Sequence, residues 1–112
     1  MSESTGGRAA RRHRRRTVRI QIDYLSAEGP CRGSATTLGA GGLFIATEQT
    51  LPRGCALRMC FRLPGSELRH EISGRVVWSN PPGASPHSPG MGIAFTDRQA
   101  QMTLARELER MD

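Results

Sequence analysis

Lysine is absent from this chain of 112 residues; all sixteen of its basic residues are arginine. Base composition of the coding sequence produces such a bias, so the absence assigns no function by itself. Aromatic residues make up only 4% of the chain and hydrophobic residues 37%, which allows one modest core and no second one. Long apolar runs are missing as well. Leu43-Phe44-Ile45-Ala46 is typical of what is there, whereas a membrane-crossing helix needs about twenty such residues. No apolar segment follows the polar N-terminus, so a secretory signal is not expected and a cytoplasmic location is. Cysteine is scarce: Cys31, Cys55 and Cys60 are odd in number and lack CxxC spacing. That suits reduced thiols better than a disulfide framework or a zinc site.

Catalytic patterns are equally thin. His13, His70 and His87 are scattered, with no HxH or HExxH spacing to converge on a metal, and each reads as an exposed polar residue. Ser, Cys and His occur without a nucleophile-elbow pattern, and Asp23, Glu28, Glu67 and Glu71 read as outward strand and turn residues rather than a catalytic pair. Neither an enzyme nor a cofactor is expected. Gly39 to Gly42 is no phosphate loop, because it lacks the terminal Lys and hydroxyl and leads into a strand-like segment.

What is present is glycine, proline and a localised charge. Thirteen Gly and seven Pro indicate many turns. The net charge of +6 sits almost wholly in residues 8–19, which hold seven arginines and no acid, while residues 20–112 balance nine arginines against nine acids. A neutral body therefore carries a strongly cationic arm.

Residues 1–10 are small and polar and are expected to form a flexible tail. From Thr17 to Tyr24, Val18, Ile20, Ile22 and Tyr24 alternate with polar residues, as a half-buried strand requires. Arg32 to Leu38 and Leu43 to Ile45 read as two short strands joined by the glycine-rich bend, where glycine suggests backbone angles that a side chain would forbid. Leu57, Met59, Phe61 and Leu63 alternate in a fourth strand. Ile72, Gly74, Val76 and Trp78 share one face of a fifth, which places Trp78 in the barrel wall or core. Met91, Ile93 and Phe95 form a sixth after a loop at 80–90. The period then changes: Thr96-Asp97-Arg98-Gln99 fits a capping box, and Leu104, Leu108 and Met111 fall at helical spacing. Six short strands and a helix suggest an all-β fold with a terminal helix, a closed antiparallel barrel that hides its edges and accepts the Leu104/Leu108 stripe.

Arg11-Arg12-His13-Arg14-Arg15-Arg16 stands directly before the first strand, so whatever it binds is brought against the barrel. Arginine offers planar bidentate donors that suit phosphate oxygens and the O6/N7 edge of guanine. Together with Thr37 to Gly42, the Leu51-Pro52-Arg53-Gly54 turn, the Gly74 to Trp78 strand and Gly92 to Phe95, this order of motifs resembles a PilZ domain, the bacterial receptor module for cyclic di-GMP. The resemblance covers residues 11 to about 111 and implies a six-stranded β-barrel with a C-terminal α-helix. It divides the chain into a tail at 1–10 and a domain at 11–112, with an arginine arm at 11–16, a barrel at 17–96 and a helix at 97–111.

In that family an RxxxR arginine pair grips guanine edges and phosphates, while the Asp or Asn and the Ser of a DxSxxG box hold the other guanine. The resemblance thus implies a ligand site of Arg11, Arg12, Arg15, Arg16, Thr37, Gly39 and Gly42, with the arginine pair either Arg11/Arg15 or Arg12/Arg16. The second box departs from the pattern, since Thr37 and Gly39 stand where the acceptor and the serine are expected. Thr37 retains one hydroxyl, and the amides of Gly39 to Gly42 are candidates for an anion-binding nest. The function implied is a cyclic di-GMP effector whose arm orders on ligand capture and alters the surface shown to a downstream protein. A ligand-independent adaptor in motility or pilus assembly is the alternative. Nonspecific nucleic-acid or lipid binding by the arm is disfavoured, because the neutral body interleaves no aromatics for base stacking.

Overall fold

The structure is a computed structural model that describes residues 16–84 and 88–111. The tail at 1–10, Arg11, Arg12, Arg15, His13 and His87 lie outside the described residues. Six strands and one helix follow one another: β1 (Arg16–Ser26), β2 (Gly29–Leu38), β3 (Gly42–Ala46), β4 (Ala56–Arg62), β5 (Arg69–Asn80), β6 (Gly90–Phe95) and α1 (Arg98–Arg110). They close into an antiparallel barrel in the order β1-β2-β3-β6-β5-β4, with β1 returning to pair with β4. This is the architecture the alternating patterns imply.

Local chemistry sets the strands and their turns. In β1, Ile20, Ile22 and Tyr24 are buried while Arg19, Gln21 and Asp23 are exposed, the period of a sheet with one dry face. Ser26 pairs with Gly29 across a tight hairpin, and Gly29 takes φ 109°, a conformation that disfavours any side chain. Ile22, Leu38, Leu43, Ile45, Ile72 and Ile93 fill the interior. Leu104 and Leu108 of α1 join that same cluster, so the helix docks on the barrel through the expected stripe. Met111 at its end stays exposed.

Four expectations need correction. Asp97, not Thr96, caps the helix: its Oδ1 accepts from Ala100 N at 3.2 Å. Thr96 is still tied to the sheet, its N–H donating to Ser73 O at 2.9 Å, so the chain is free to turn only one residue later. The bend at 39–42 contains no positive φ. Space, not backbone angle, demands glycine at Gly42, where a β-carbon would overlap the Ile93 carbonyl across β3 and β6. His70 is buried, only 4% exposed, because it lies on the same face of β5 as Ile72. Trp78 is 47% exposed and sits outside the barrel, since a bulge between Val76 and Trp78 inserts one extra residue opposite β6 and reverses the phase of everything after it.

Candidate functional site

The barrel has three register irregularities among the described residues: between Thr17 and Ile20 in β1, between Ala35 and Thr37 in β2, and between Val76 and Trp78 in β5. All three border one row of paired residues. Thr17 pairs with Thr37, Thr37 with Phe44, Phe44 with Gly92, and Gly92 with Trp78. Adjacent strands lie about 4.8 Å apart, so this row spans roughly 19 Å of outer surface across five strands. Bulges re-aim side chains and gather beside functional sites. Here they create an outward row between inward rows, one of which runs through Leu38, Leu43, Ile93 and Val76.

Each part of the row has a distinct chemistry. Phe44 and Trp78 stack with ring centroids 5.3 Å apart and planes inclined by 26°. They rest on β6, where the outward positions are Gly90 and Gly92. A β-carbon on Gly92 would meet Trp78 Nε1 at 2.5 Å, and one on Gly90 would collide with the Phe44 ring. The absence of side chains at Gly90 and Gly92 thus makes room for the two rings over that strand, leaving the indole half open to solvent. Thr37 supplies the contrasting polar feature, since its Oγ1 is enclosed and lacks a hydrogen-bond partner. A buried hydroxyl without a partner costs about 1–3 kcal/mol, and such an atom in a folded chain calls for an explanation.

The structure brings some of the expected site residues together and sends one elsewhere. Thr37 and Gly42 flank the bend between β2 and β3, with Gly39 within it. Gly39 N donates to Gly42 O at 3.0 Å, and Phe95 N donates to Gly41 O at 3.0 Å. The Gly39 amide is therefore committed to the bend and not offered as part of an anion nest. Arg16, whose Cα partner is Leu38 of an inward row, sends Nη2 to the Leu108 carbonyl at 2.9 Å. That carbonyl belongs to the last turn of α1, where it also accepts from Met111 N at 3.2 Å and where the helix dipole attracts a cation.

A second polar cluster, which the sequence pattern did not single out, fastens α1 to the barrel. The Glu107 carboxylate accepts from Ser66 Oγ and from His70 Nε2, the latter at 2.5 Å. Burial pushes the Glu107 carboxyl up, but the Ser66 and His70 hydrogen bonds and the charges of His70 and Arg110 outweigh it and hold it below its ordinary range. Glutamate stands between Ser and His, so no imidazole is poised to activate the serine as a catalytic triad requires. The arrangement is a clamp. The alternation of β5 was the available signal for it, since His70 precedes Ile72 by two residues.

A further cleft, of about 430 Å3, lies on the β1–β4 side and is lined by Asp23, Arg32, Cys60 and Arg69 among others. Within it Arg32 Nε is 2.9 Å from Asp23, and Arg69 Nε lies 3.8 Å from Glu71, which is outside it. Cys31, Cys55 and Cys60 are free thiols. Among the described residues no group of His, Cys, Asp and Glu could hold a metal ion, and no helix is long and apolar enough to cross a membrane.

The fold is thus a small closed antiparallel barrel capped by one helix, with a bulged aromatic row on its outer face. The family model described as PilZ domain matches residues 9–111, and the chain belongs to that family. Among solved structures it is similar to the PilZ domain of a cellulose synthase from a cellulose-synthesizing bacterium, at 16% identity and TM-score 0.62, over 85% of this chain and 97% of that one. It is also similar to the Bacillus subtilis inhibitor of motility MotI/DgrA, at 20% identity and TM-score 0.64, over 87% of this chain and 48% of that one. These likenesses establish the fold. Comparison with curated proteins gives no match.

Proposed function

We propose that this protein is a cyclic di-GMP receptor that performs no chemistry and signals by ordering its arginine arm against the outer row. The observation that carries the reading is the row itself: Thr17, where the arm joins the barrel, is collinear with Thr37 and the Phe44–Trp78 pair. An anionic dinucleotide lying along it meets arginine at one end and an aromatic face at the other. Because Arg16 is engaged with the helix end, the arginine pair assigned to the ligand is Arg11 and Arg15, with Arg12 as an additional phosphate donor. Thr37 offers its hydroxyl, while Gly39 and Gly42 let the bend approach closely. Docking of residues 8–15 on the bound ligand then changes the surface available to a downstream protein. This role belongs in the cytoplasm, where the three thiols stay reduced.

Calorimetry with cyclic di-GMP at several salt concentrations tests the proposal. Saturable binding that is lost in Arg11→Ala/Arg15→Ala is expected, and an absence of heat at high micromolar ligand would refute it. A preference for the dinucleotide over polynucleotides that persists as salt rises separates it from nonspecific polyanion binding.

A second reading, a ligand-independent adaptor, is favoured by one specific observation: the Gly39 amide is already bonded within the bend and no carboxylate stands at Thr37. The solved neighbour named as a motility inhibitor makes motility machinery a reasonable place to look for its partner. A partner retained equally with and without dinucleotide, and by the double arginine variant, would establish this reading instead.

A further inference from the structure

We infer that the subsite formed by Thr37 and the Phe44–Trp78 pair reads a nucleobase by its face rather than by its hydrogen-bonding edge, so that it takes adenine nearly as well as guanine. The inference rests on the receptor reading above and names the ligand class more broadly, as cyclic dinucleotides with guanine at the arginine pair and either purine at this subsite. Its starting point is what the row contains: two hydroxyls, two aromatic rings and a glycine, and no carboxylate or carboxamide.

Guanine is told from adenine on its Watson–Crick edge by two adjacent donors, N1–H and the N2 amino group. Holding both at once takes a planar group with two acceptors, which a carboxylate provides and a hydroxyl does not. The arm cannot supply one, because residues 8–19 contain no acid. Asp97, which follows β6 beyond the bend, already spends its Oδ1 on the Ala100 amide as the helix cap. In the bend the Gly41 and Gly42 carbonyls accept from Phe95 N and Gly39 N. Polar recognition therefore falls to the enclosed Thr37 Oγ1, which has no partner in the structure. A hydroxyl both donates and accepts, and so serves an adenine edge and a guanine edge alike.

Stacking has the opposite endowment. Trp78 is half exposed, lies against Gly92 and is stacked with Phe44. Every base has a π face, so such a platform contributes affinity without discriminating among bases. Binding energy at this subsite comes from the component that does not distinguish the two purines.

The test titrates the full chain with cyclic di-GMP, cyclic di-AMP and the mixed guanine–adenine cyclic dinucleotide, following calorimetric heat and the fluorescence of Trp78, the only tryptophan. Cyclic di-GMP and the mixed dinucleotide, which both offer guanine to the arginine pair, are expected within about fivefold of one another, with similar quenching of the indole. Cyclic di-AMP, which meets that pair with an N6 amino donor in place of O6, binds more weakly. Trp78→Ala should weaken all three alike, by a factor of about 5 to 150. Thr37→Asp, or Thr37→Asn if the aspartate variant melts early, should create a preference for guanine of about tenfold or more. A preference above about thirtyfold for cyclic di-GMP over the mixed dinucleotide in the unmodified chain, or no gain of that preference in a folded Thr37 variant, overturns the inference while leaving the receptor reading in place. Silence with all three ligands overturns the receptor reading itself, and this inference with it.

Discussion

Two polar clusters in this barrel end in opposite states. At the helix, Ser66, His70 and Glu107 satisfy one another: the carboxylate accepts two hydrogen bonds, and Ser66 Oγ also accepts from Leu68 N at 3.1 Å. In the outer row, Thr37 carries a hydroxyl that is enclosed and unpaired. The first cluster repays its desolvation within the fold and serves stability. The second leaves a cost of about 1–3 kcal/mol standing, which the polar edge of the proposed ligand would recover. A third group, the Asp23–Arg32 and Arg58–Glu71 pairs, is water-exposed and contributes little of either kind. Completeness of pairing, more than polarity, separates scaffold from site here.

The clamp offers the largest effect by which to break this contrast. Glu107→Gln replaces an ionised acceptor of two hydrogen bonds, and unfolding in urea should show a loss of about 1.5–3 kcal/mol with an unchanged m-value. Acid probes the same group without mutation. Because the folded chain holds Glu107 below its ordinary range, the stability it provides is complete above the unfolded value of about 4.3. It is lost as pH falls through the lower folded value. The melting temperature of the unmodified chain should therefore fall more than that of Glu107→Gln between about pH 5 and about pH 3; parallel curves would remove Glu107 from the clamp.

Thr37→Val should act in the other direction. It preserves shape and removes the orphaned oxygen, so stability should stay level or rise by up to about 1 kcal/mol while ligand affinity falls. A loss of stability beyond about 1 kcal/mol would mean that the hydroxyl is satisfied after all and belongs with the scaffold. The smallest effect belongs to the surface: Asp23→Asn should shift unfolding by under about 0.5 kcal/mol, and by less at high salt.

Much of the scaffold was legible in advance. Alternation from Val18 to Tyr24 and from Leu57 to Leu63 marked two strands, and Leu104 and Leu108 marked the buried face of α1. Trp78 was misplaced because the bulge at Val77 leaves no trace in the local pattern; the same period continues, one residue out of step. Thr96 looked like the cap because its side chain suits that role, yet its backbone was already spoken for by Ser73. The platform was hidden for a related reason, since Gly90, Gly92, Phe44 and Trp78 come from three separate segments. Gly at alternate positions of β6 was its one local sign, and it takes on meaning only once the rings are seen to lie over that strand.

By itself the sequence determined where strands alternate, where the chain turns, which face of the helix is apolar, and that the cationic charge lies ahead of the first strand. These follow from neighbouring residues, whose spacing sets side-chain direction through fixed backbone geometry. Only the tertiary structure decided that β3 lies beside β6 and that β1 closes on β4. It likewise decided that Arg16 turns to the helix end and that Thr37 falls in line with Phe44 and Trp78. Those outcomes depend on pairing between distant residues, where one inserted residue exchanges the inside of a sheet for its outside.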